Sequence, residues 1–109
     1  QLYQVTRIAA TFGTTTVTTA GTEVQISNTA RDVRKIKFKA RAANTGRIFI
    51  GLSDVSATVN GWELSIPLTG RPNDPLELDF PGDATVKLSV FYVDSTVNGE
   101  ICDWVAIVR

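Results

Sequence analysis

A chain of 109 residues with no net charge and 43% hydrophobic residues is long enough for one globular domain with one core. Zero net charge gives no long-range attraction to nucleic acid or to an anionic membrane, and no apolar run approaches the roughly 18 residues that a membrane-spanning helix needs. The absence of histidine excludes His-based catalysis and His-based metal sites. The single cysteine, Cys102, excludes an internal disulfide and favours assembly in a reducing cytoplasm.

The N-terminal third is rich in threonine and short of bulky apolar residues. We predict that residues 1–30 form an arm or edge strands of the same domain, and that residues 31–109 form a β-sandwich body. The start of the chain carries Leu2, Tyr3 and Val5. This pattern is typical of a plain first strand, and also of an arm that reaches a neighbouring subunit. These three residues are therefore candidate interface residues.

Strict period-two alternation predicts a strand at residues 32–42. Its inward side is apolar, with Ile36, Phe38, Ala40 and Ala42, and its outward side is basic, with Lys35, Lys37, Lys39 and Arg41. Residues 76–80 repeat the pattern with acidic outward residues, so the two faces are expected to pair across strands. Residues 84–93 continue the alternation, with Val86, Leu88, Val90 and Tyr92 predicted inward. The basic face is interpreted as solvated; an acidic protein patch is the first choice of partner for it.

Two further runs are apolar on both faces, and an antiparallel strand of that kind needs a second cover. Phe49 opposes two isoleucines in the run 47–52. In the run 101–109, Ile101, Val105 and Ile107 lie on one side, and Cys102, Trp104, Ala106 and Val108 lie on the other. The cysteine is interpreted as a small core residue. The cover is either another part of the chain or another protomer. The candidate interface residues in these runs are Phe49, Ile101, Val105 and Ile107.

The tetrapeptide Thr-Val-Asn-Gly occurs at residues 58–61 and again at residues 96–99. Asn-Gly is the preferred pair for a tight hairpin turn with positive φ, so both copies are predicted to connect strands and to fix hairpin register. The alternative is that the two copies form a shared binding loop at one end of the sandwich. Trp62 follows the first copy and is interpreted either as a core anchor or as an interface residue.

The near absence of helical signals, together with turn signals about every eight to twelve residues, predicts an all-β fold. The fold class we predict is a single antiparallel β-sandwich of jelly-roll-like type. Asp54 and Asp94 offer oxygen ligands, but their spacing matches no calcium loop and they are interpreted as turn caps. No phosphate-binding loop is present. We expect no catalytic residue, no cofactor and no metal, and therefore no enzyme.

Three segments resemble a family of small structural proteins of tailed-phage virions: "ARAANTGRIFIGLSDVSATVNGWELSIPL", "LELDF" and "VFYVDSTVNGEICDWVAIVR". The matching residues are 44–46, 48–51, 53–55, 76–79 and 92–100, and the likeness covers about residues 35–109. The Thr-rich N-terminal third lies outside it. The stretch "PLTGRPNDPLEL" is longer and more polar than the family's usual Pro-Gly turn, so loop contacts do not carry over.

The resemblance implies a non-enzymatic capsid decoration, or cement, protein that is trimeric and lies on the exterior of a phage head, after synthesis in the host cytoplasm. Its implied partner is the major capsid protein, and binding only to the assembled shell would stabilise that shell by mass action. The alternative is a tail or fibre module that binds a host-surface glycan or another virion protein, with an exposed aromatic platform such as Trp62. Neither reading includes nucleic acid or a membrane as a partner.

Overall fold

The computed structural model describes residues 9–41, 44–56, 60–64 and 75–108. This part of the chain contains nine β-strands and one short 3₁₀ turn, and none of its helical structure is long and apolar enough to cross a membrane. The strands are β1 (Ala9–Val17), β2 (Val24–Gln25), β3 (Asp32–Ala40), β4 (Ile48–Gly51), β5 (Trp62–Leu64), β6 (Leu76–Asp79), β7 (Val86–Lys87), β8 (Tyr92–Ser95) and β9 (Glu100–Val108). The candidate residues Leu2, Tyr3 and Val5 lie outside the described residues.

The strands form two antiparallel sheets that pack against each other. The first sheet has five strands in the order β1-β9-β3-β6, with β7 also paired to β3, and the second has four in the order β2-β8-β4-β5. With β6 and β7 counted as one interrupted strand, these are the strand orders of a jelly roll. The predicted all-β, antiparallel, jelly-roll-like sandwich is therefore confirmed. Within the N-terminal third, β1 and β2 are edge strands of the two sheets, and the arm or edge strands expected for residues 1–30 stay a prediction.

The core lies between the sheets. Ile36, Phe38 and Ala40 of β3 are fully buried, which confirms the alternation predicted from Lys35 to Ala40. A register shift between Val33 and Lys35 breaks the alternation before that point, so Val33 is buried and Arg34 is exposed. Phe38 meets Phe91 edge to face, with 5.3 Å between the ring centroids. Cys102 is also fully buried in this core, as predicted, and its burial raises the pKa of the thiol to about 12. The thiol is thus protonated at neutral pH and is a small core residue rather than a nucleophile.

The alternation predicted for residues 84–93 is wrong at its end, although Val90, predicted inward, does pack against the core. A 3₁₀ turn at Leu88–Val90 carries the chain from β7 in the first sheet to β8 in the second. A turn with three residues per repeat breaks the period of two and shifts which side chains point inward. Val93 is fully buried in the core as a result, whereas Tyr92 is half-buried.

The described part of the first Thr-Val-Asn-Gly copy, Asn60 and Gly61, and the second copy lie at opposite ends of β4. Ile48, which begins β4, pairs with Ser95 just before the second copy, and Ile50 near its end pairs with Trp62 just after the first. The alternative of a shared binding loop is therefore wrong. Gly99 has a φ of 85°, as an Asn-Gly turn requires. However, β8 and β9 belong to different sheets, so the second copy forms a corner between sheets and not the predicted hairpin.

Candidate interaction surface

The outer face of the five-stranded sheet carries an exposed apolar strip. Antiparallel pairing places Phe12 of β1 opposite Val105 of β9, and Ala10 opposite Ile107. Phe12 is 79% exposed and Val105 is 38% exposed, while Ile107 is half-buried. We call Ala10, Phe12, Val105 and Ile107 the apolar strip. A large aromatic side chain that is exposed beside other apolar groups is typical of an interaction site.

A basic rim borders the apolar strip on β3. Lys37 is in register with Val105, and Lys35 with Ile107. A groove of about 420 Å³ lies between strip and rim and is lined by Arg34, Lys35, Lys37, Val105 and Ile107. We call Arg34, Lys35 and Lys37 the basic rim. The groove therefore has an apolar wall on one side and cations on the other.

The charges of the rim are only partly compensated within the chain. Glu77 pairs with Lys35 at 3.1 Å and with Lys37 at 3.3 Å, which confirms the predicted pairing of basic and acidic strand faces. Hydrogen bonds from Lys35, and then from Lys37, lower the pKa of Glu77. Arg34 is exposed and makes no ion pair with any residue that the structure describes. One carboxylate thus serves two lysines and leaves an arginine available to a partner.

A polar network lies at one end of the apolar strip, where Thr14 of β1 pairs with Asp103 of β9. Asp103 accepts hydrogen bonds from Arg41 Nη2 at 2.6 Å, from Arg41 Nε at 3.1 Å and from Thr14 Oγ1 at 3.0 Å. The hydrogen bonds from Arg41 hold the pKa of Asp103 below its ordinary value. Because this network satisfies its own donors and acceptors, a partner gains from the apolar strip and the rim rather than from Asp103.

The three candidate interface residues on β9 lie in different surroundings. Val105 and Ile107 belong to the apolar strip on the outer face, and their role at an interface stays a prediction. Ile101 also lies on the outward side but is half-buried, and its backbone is held by the side chain of Asn44. Asn44 Oδ1 accepts from the Ile101 N–H and Asn44 Nδ2 donates to its carbonyl, each at 2.8 Å.

The prediction of Phe49 as an interface residue is wrong, because its side chain is covered by other residues of the same chain. It is only 7% exposed. The Arg47 guanidinium lies 5.3 Å from the centroid of its ring. The loop after β4 packs on it as well, since a Cβ added to Gly61 would lie 3.0 Å from both Phe49 Cβ and Val55 Cγ2. A side chain at residue 61 would therefore be crowded, and it is this lack of space, not a positive φ, that favours glycine there.

Of the apolar strip, the sequence analysis missed Ala10 and the larger Phe12. It stands in a threonine-rich run that lacked a clear alternation. The signal was its spacing from Val17, because residues five apart in a regular strand point to opposite faces. Val17 is fully buried, and Phe12 accordingly faces outward.

A second apolar site lies between the edge strands β5 and β6. This cleft of about 400 Å³ is lined by Ile50, Gly51, Leu52, Trp62, Leu76, Leu78 and Phe91. Trp62 is 65% exposed, so it is not a core anchor, and its role at an interface stays a prediction. Among the described lining residues, the indole N–H of Trp62 is the one polar side-chain group. Residues 65–74, which connect the two strands, lie outside the described residues.

Two motifs that carry the family resemblance meet at the end of the sandwich. Glu100 is 3% exposed and accepts hydrogen bonds from Thr45 N at 3.1 Å, Thr45 Oγ1 at 3.3 Å and Gly46 N at 3.2 Å. A Cβ on Gly46 would lie 2.5 Å from Val97 Cγ2, so only glycine fits there. These motif residues hold loops together, and none of them faces a groove or cleft described above.

The acidic residues considered as calcium ligands have other surroundings. Asp94 is buried, and its Oδ1 accepts from the backbone N–H of Gly21 at 2.9 Å and of Ser95 at 2.8 Å. It therefore caps a turn, as interpreted. Asp54 is exposed on the loop after β4. Within the described ranges, no group of three or more Cys, Asp or Glu residues is placed to hold a metal ion.

Comparisons of the chain with models of protein families, with curated proteins and with solved structures gave no match. The likeness to phage virion proteins therefore stays a prediction from the motifs quoted above.

Proposed function

We propose that the chain is a non-enzymatic structural protein of a tailed-phage virion, a capsid decoration protein that binds and stabilises the assembled head shell. The observation that supports this role is the apolar strip with its basic rim. Phe12 is 79% exposed, and covering it with a partner would lower the free energy of the complex. The jelly roll adds a fold-level analogy, since viral capsid domains use it, although lectin domains use it too.

The surface fits a partner whose apolar side chains lie beside carboxylates. Apolar groups would cover Phe12 and Val105, and acidic groups would face Arg34 and the two lysines that share Glu77. In the proposed role this partner is the major capsid protein on the exterior of the head. A protein that binds only the assembled shell shifts the assembly equilibrium toward it by mass action.

The proposal is tested by co-sedimentation of the purified protein with empty shells of the phage that encodes it. We expect the double variant Phe12→Ser/Val105→Thr to bind at least about tenfold more weakly, since each buried apolar side chain contributes on the order of 1–3 kcal/mol. The matched control is Leu52→Ser, which removes an apolar side chain that is 56% exposed at the β5–β6 cleft. Equal binding of both variants and the native protein would overturn this surface assignment.

The salt dependence of shell binding tests the basic rim separately. Arg34→Glu reverses a charge that has no ion partner among the described residues. We expect it to weaken binding more at 50 mM than at 500 mM salt, conditions chosen because screening lengths fall from above 10 Å to a few Å. A loss of binding that does not depend on salt would argue against an acidic partner face.

A tail or fibre module that binds a host glycan is the second candidate, and the exposed Trp62 is the observation that favours it. Among the described lining residues, the indole N–H of Trp62 is the one side-chain group that can bond a sugar hydroxyl, and this sparse polar lining argues for an apolar ligand instead. Calorimetric titration with host-surface glycans decides the point. Binding that Trp62→Ala abolishes would favour the tail module over the decoration protein.

A further inference from the structure

Sheet edges are the surfaces on which strands can add, and most edges in the described part of the chain are protected. In the second sheet, β2 has two residues and β5 has three, too short to template a partner strand. In the first sheet, the β6 edge carries the exposed Glu77 and Asp79 and is flanked by Pro75 and Pro81. Two copies of that edge would place like charges together.

The β1 edge has none of these protections. It runs for nine residues, AATFGTTTV, without a charge or a proline. Its one ladder partner is β9, and among the described residues no backbone group of residues 9–16 bonds to the main chain of any other element. A long, uncharged, β-branched edge of this kind is the form that pairs with another strand.

We infer that the β1 edge pairs with the β1 edge of a second copy of this chain, in an antiparallel, two-fold symmetric dimer. A strand without charge meets its own copy without repulsion, which is why a second copy fits this edge and not the acidic β6 edge. The inference stands apart from the proposed function, because it concerns the chain alone.

The pleat fixes the register of this pairing. Outward residues can face only outward residues, so the two-fold axis passes through one residue that pairs with its own copy. Among the described residues, pairing about Gly13 uses all nine residues of β1, more than any other choice. Phe12 then lies beside Thr14 of the second copy, and Ala10 beside Thr16 of the second copy. The axis is perpendicular to the sheet, so both apolar strips face the same side.

Two matched charge variants test the pairing and its register. Ala10 and Thr16 are exposed on the outer face, so both tolerate a charge in the single chain. Ala10→Lys/Thr16→Lys places lysine opposite lysine at two points of the dimer. Ala10→Glu/Thr16→Lys places glutamate opposite lysine at the same two points. The second variant therefore keeps the added lysine and the positions and changes only the sign of one charge.

The measurement is the solution mass of the full chain by light scattering at micromolar concentration. We expect the native protein and Ala10→Glu/Thr16→Lys at twice the chain mass of 11.8 kDa, and Ala10→Lys/Thr16→Lys at that single mass. Circular dichroism checks that all three are folded. A native protein that stays monomeric, or one of three chain masses as the resemblance implies, would overturn the pairing. Equal masses for the two variants would also overturn it.

Discussion

Glu100 shows how a single buried carboxylate can join distant loops. Both of its oxygens accept hydrogen bonds from the segment that contains Thr45 and Gly46. An amide replaces one of these acceptors by a donor, which then faces an N–H group. We predict that Glu100→Gln lowers the free energy of unfolding by about 1–3 kcal/mol, the usual cost of losing such bonds at a buried site. Urea denaturation measures it.

Glu63→Gln is the matched control for this prediction. Glu63 is likewise a carboxylate that accepts hydrogen bonds, here from Arg47 at 2.6 and 3.1 Å. In this pair, however, both side chains are exposed. Exposed ion pairs contribute little because water solvates the separated charges well. We therefore expect almost no change in the urea midpoint. A control as destabilised as Glu100→Gln would show that burial of the carboxylate does not decide the cost.

Asp103 makes the stability of the fold depend on pH at its acidic end. Its pKa is lowered from 3.8 in the folded protein, chiefly by hydrogen bonds from Arg41. A lowered pKa adds stability above the unfolded value, and this stability is lost as the pH falls through the folded value. We predict that Asp103→Asn reduces the loss of stability between about pH 5 and pH 2. Urea midpoints across that range measure it.

Arg41→Ala serves as the control, because it removes the first cause of the low pKa while leaving the carboxylate in place. It should reduce the pH dependence to a similar degree as Asp103→Asn. The double variant should add little to either single change, since both remove the same interaction. A full acid dependence in Asp103→Asn would assign it to other carboxylates.

At the scale of elements, the two tryptophans lie in different surroundings. Trp104 packs at the contact between β1 and β9, which we call the β1–β9 seam, and Trp62 lies on an edge strand. Trp104 of β9 packs across β1, where a Cβ on Gly13 would lie 2.7 Å from its ring, and its Nε1 donates to Thr15 Oγ1 at 3.3 Å. We predict that Trp104→Ala lowers the free energy of unfolding by about 2–4 kcal/mol, near the range for buried aromatic side chains. Thermal and urea unfolding measure it.

Trp62→Ala is the comparison within the same chain. Trp62 lies on the three-residue edge strand β5 and is 65% exposed, so less apolar surface returns to water when it is removed. We expect a change below about 1 kcal/mol, as for most surface substitutions. Equal losses for the two variants would mean that the β5–β6 cleft is as tightly packed as the β1–β9 seam.

The period-two pattern predicted strands that have one buried and one solvated face. It failed where the chain passes from one sheet to the other. Alternation in β3 and β6 follows from one buried and one solvated face, and the structure shows it. The run 84–93 looked like one strand because its apolar spacing is continuous through Leu88–Val90. The 3₁₀ turn there depends on packing between the sheets, which a local pattern does not record.

Only part of the candidate surface could be predicted from the sequence, because the rest depends on contacts between distant strands. Val105 and Ile107 were found because a strand that is apolar on both faces is visible in sequence. The cover of Phe49 could not be found, since it comes from Arg47 above the ring and from Gly61 across a loop. Phe12 joins the strip only through the register between β1 and β9, which pairs residues from opposite ends of the described chain.

At the scale of the whole molecule, the two proposals combine without depending on each other. A two-fold pair through β1 would place two apolar strips and two basic rims on one side of a continuous sheet. Two linked sites bind one repeated surface more tightly than either alone. Because Ala10 also belongs to the apolar strip, the effect of valency is read from the two charge variants, which change the same positions. Ala10→Lys/Thr16→Lys, which separates the pair, should bind the shell more weakly than Ala10→Glu/Thr16→Lys, which keeps it, whereas Phe12→Ser/Val105→Thr should weaken each site itself.

The topology also predicts how the chain folds. The β1–β9 seam closes the longest loop, whereas β4 and β5 are joined by one connection within the second sheet. Loop closure costs entropy before the contacts form, so all-β folds of this kind fold in milliseconds to seconds. We predict that the β4–β5 hairpin forms early and that the seam forms after the rate-limiting step.

Two core truncations separate these stages. Val17→Ala deletes fully buried methyl groups at the seam, and Leu64→Ala deletes them in the hairpin. We expect Val17→Ala chiefly to speed unfolding, because its contacts are absent from the transition state, and Leu64→Ala chiefly to slow folding. Stopped-flow rates across urea concentrations, in the Ala10→Lys/Thr16→Lys background to keep association out of the kinetics, measure both. If Val17→Ala slowed folding as strongly as Leu64→Ala, the seam would already be formed in the transition state, and chain closure rather than the hairpin would set the folding rate.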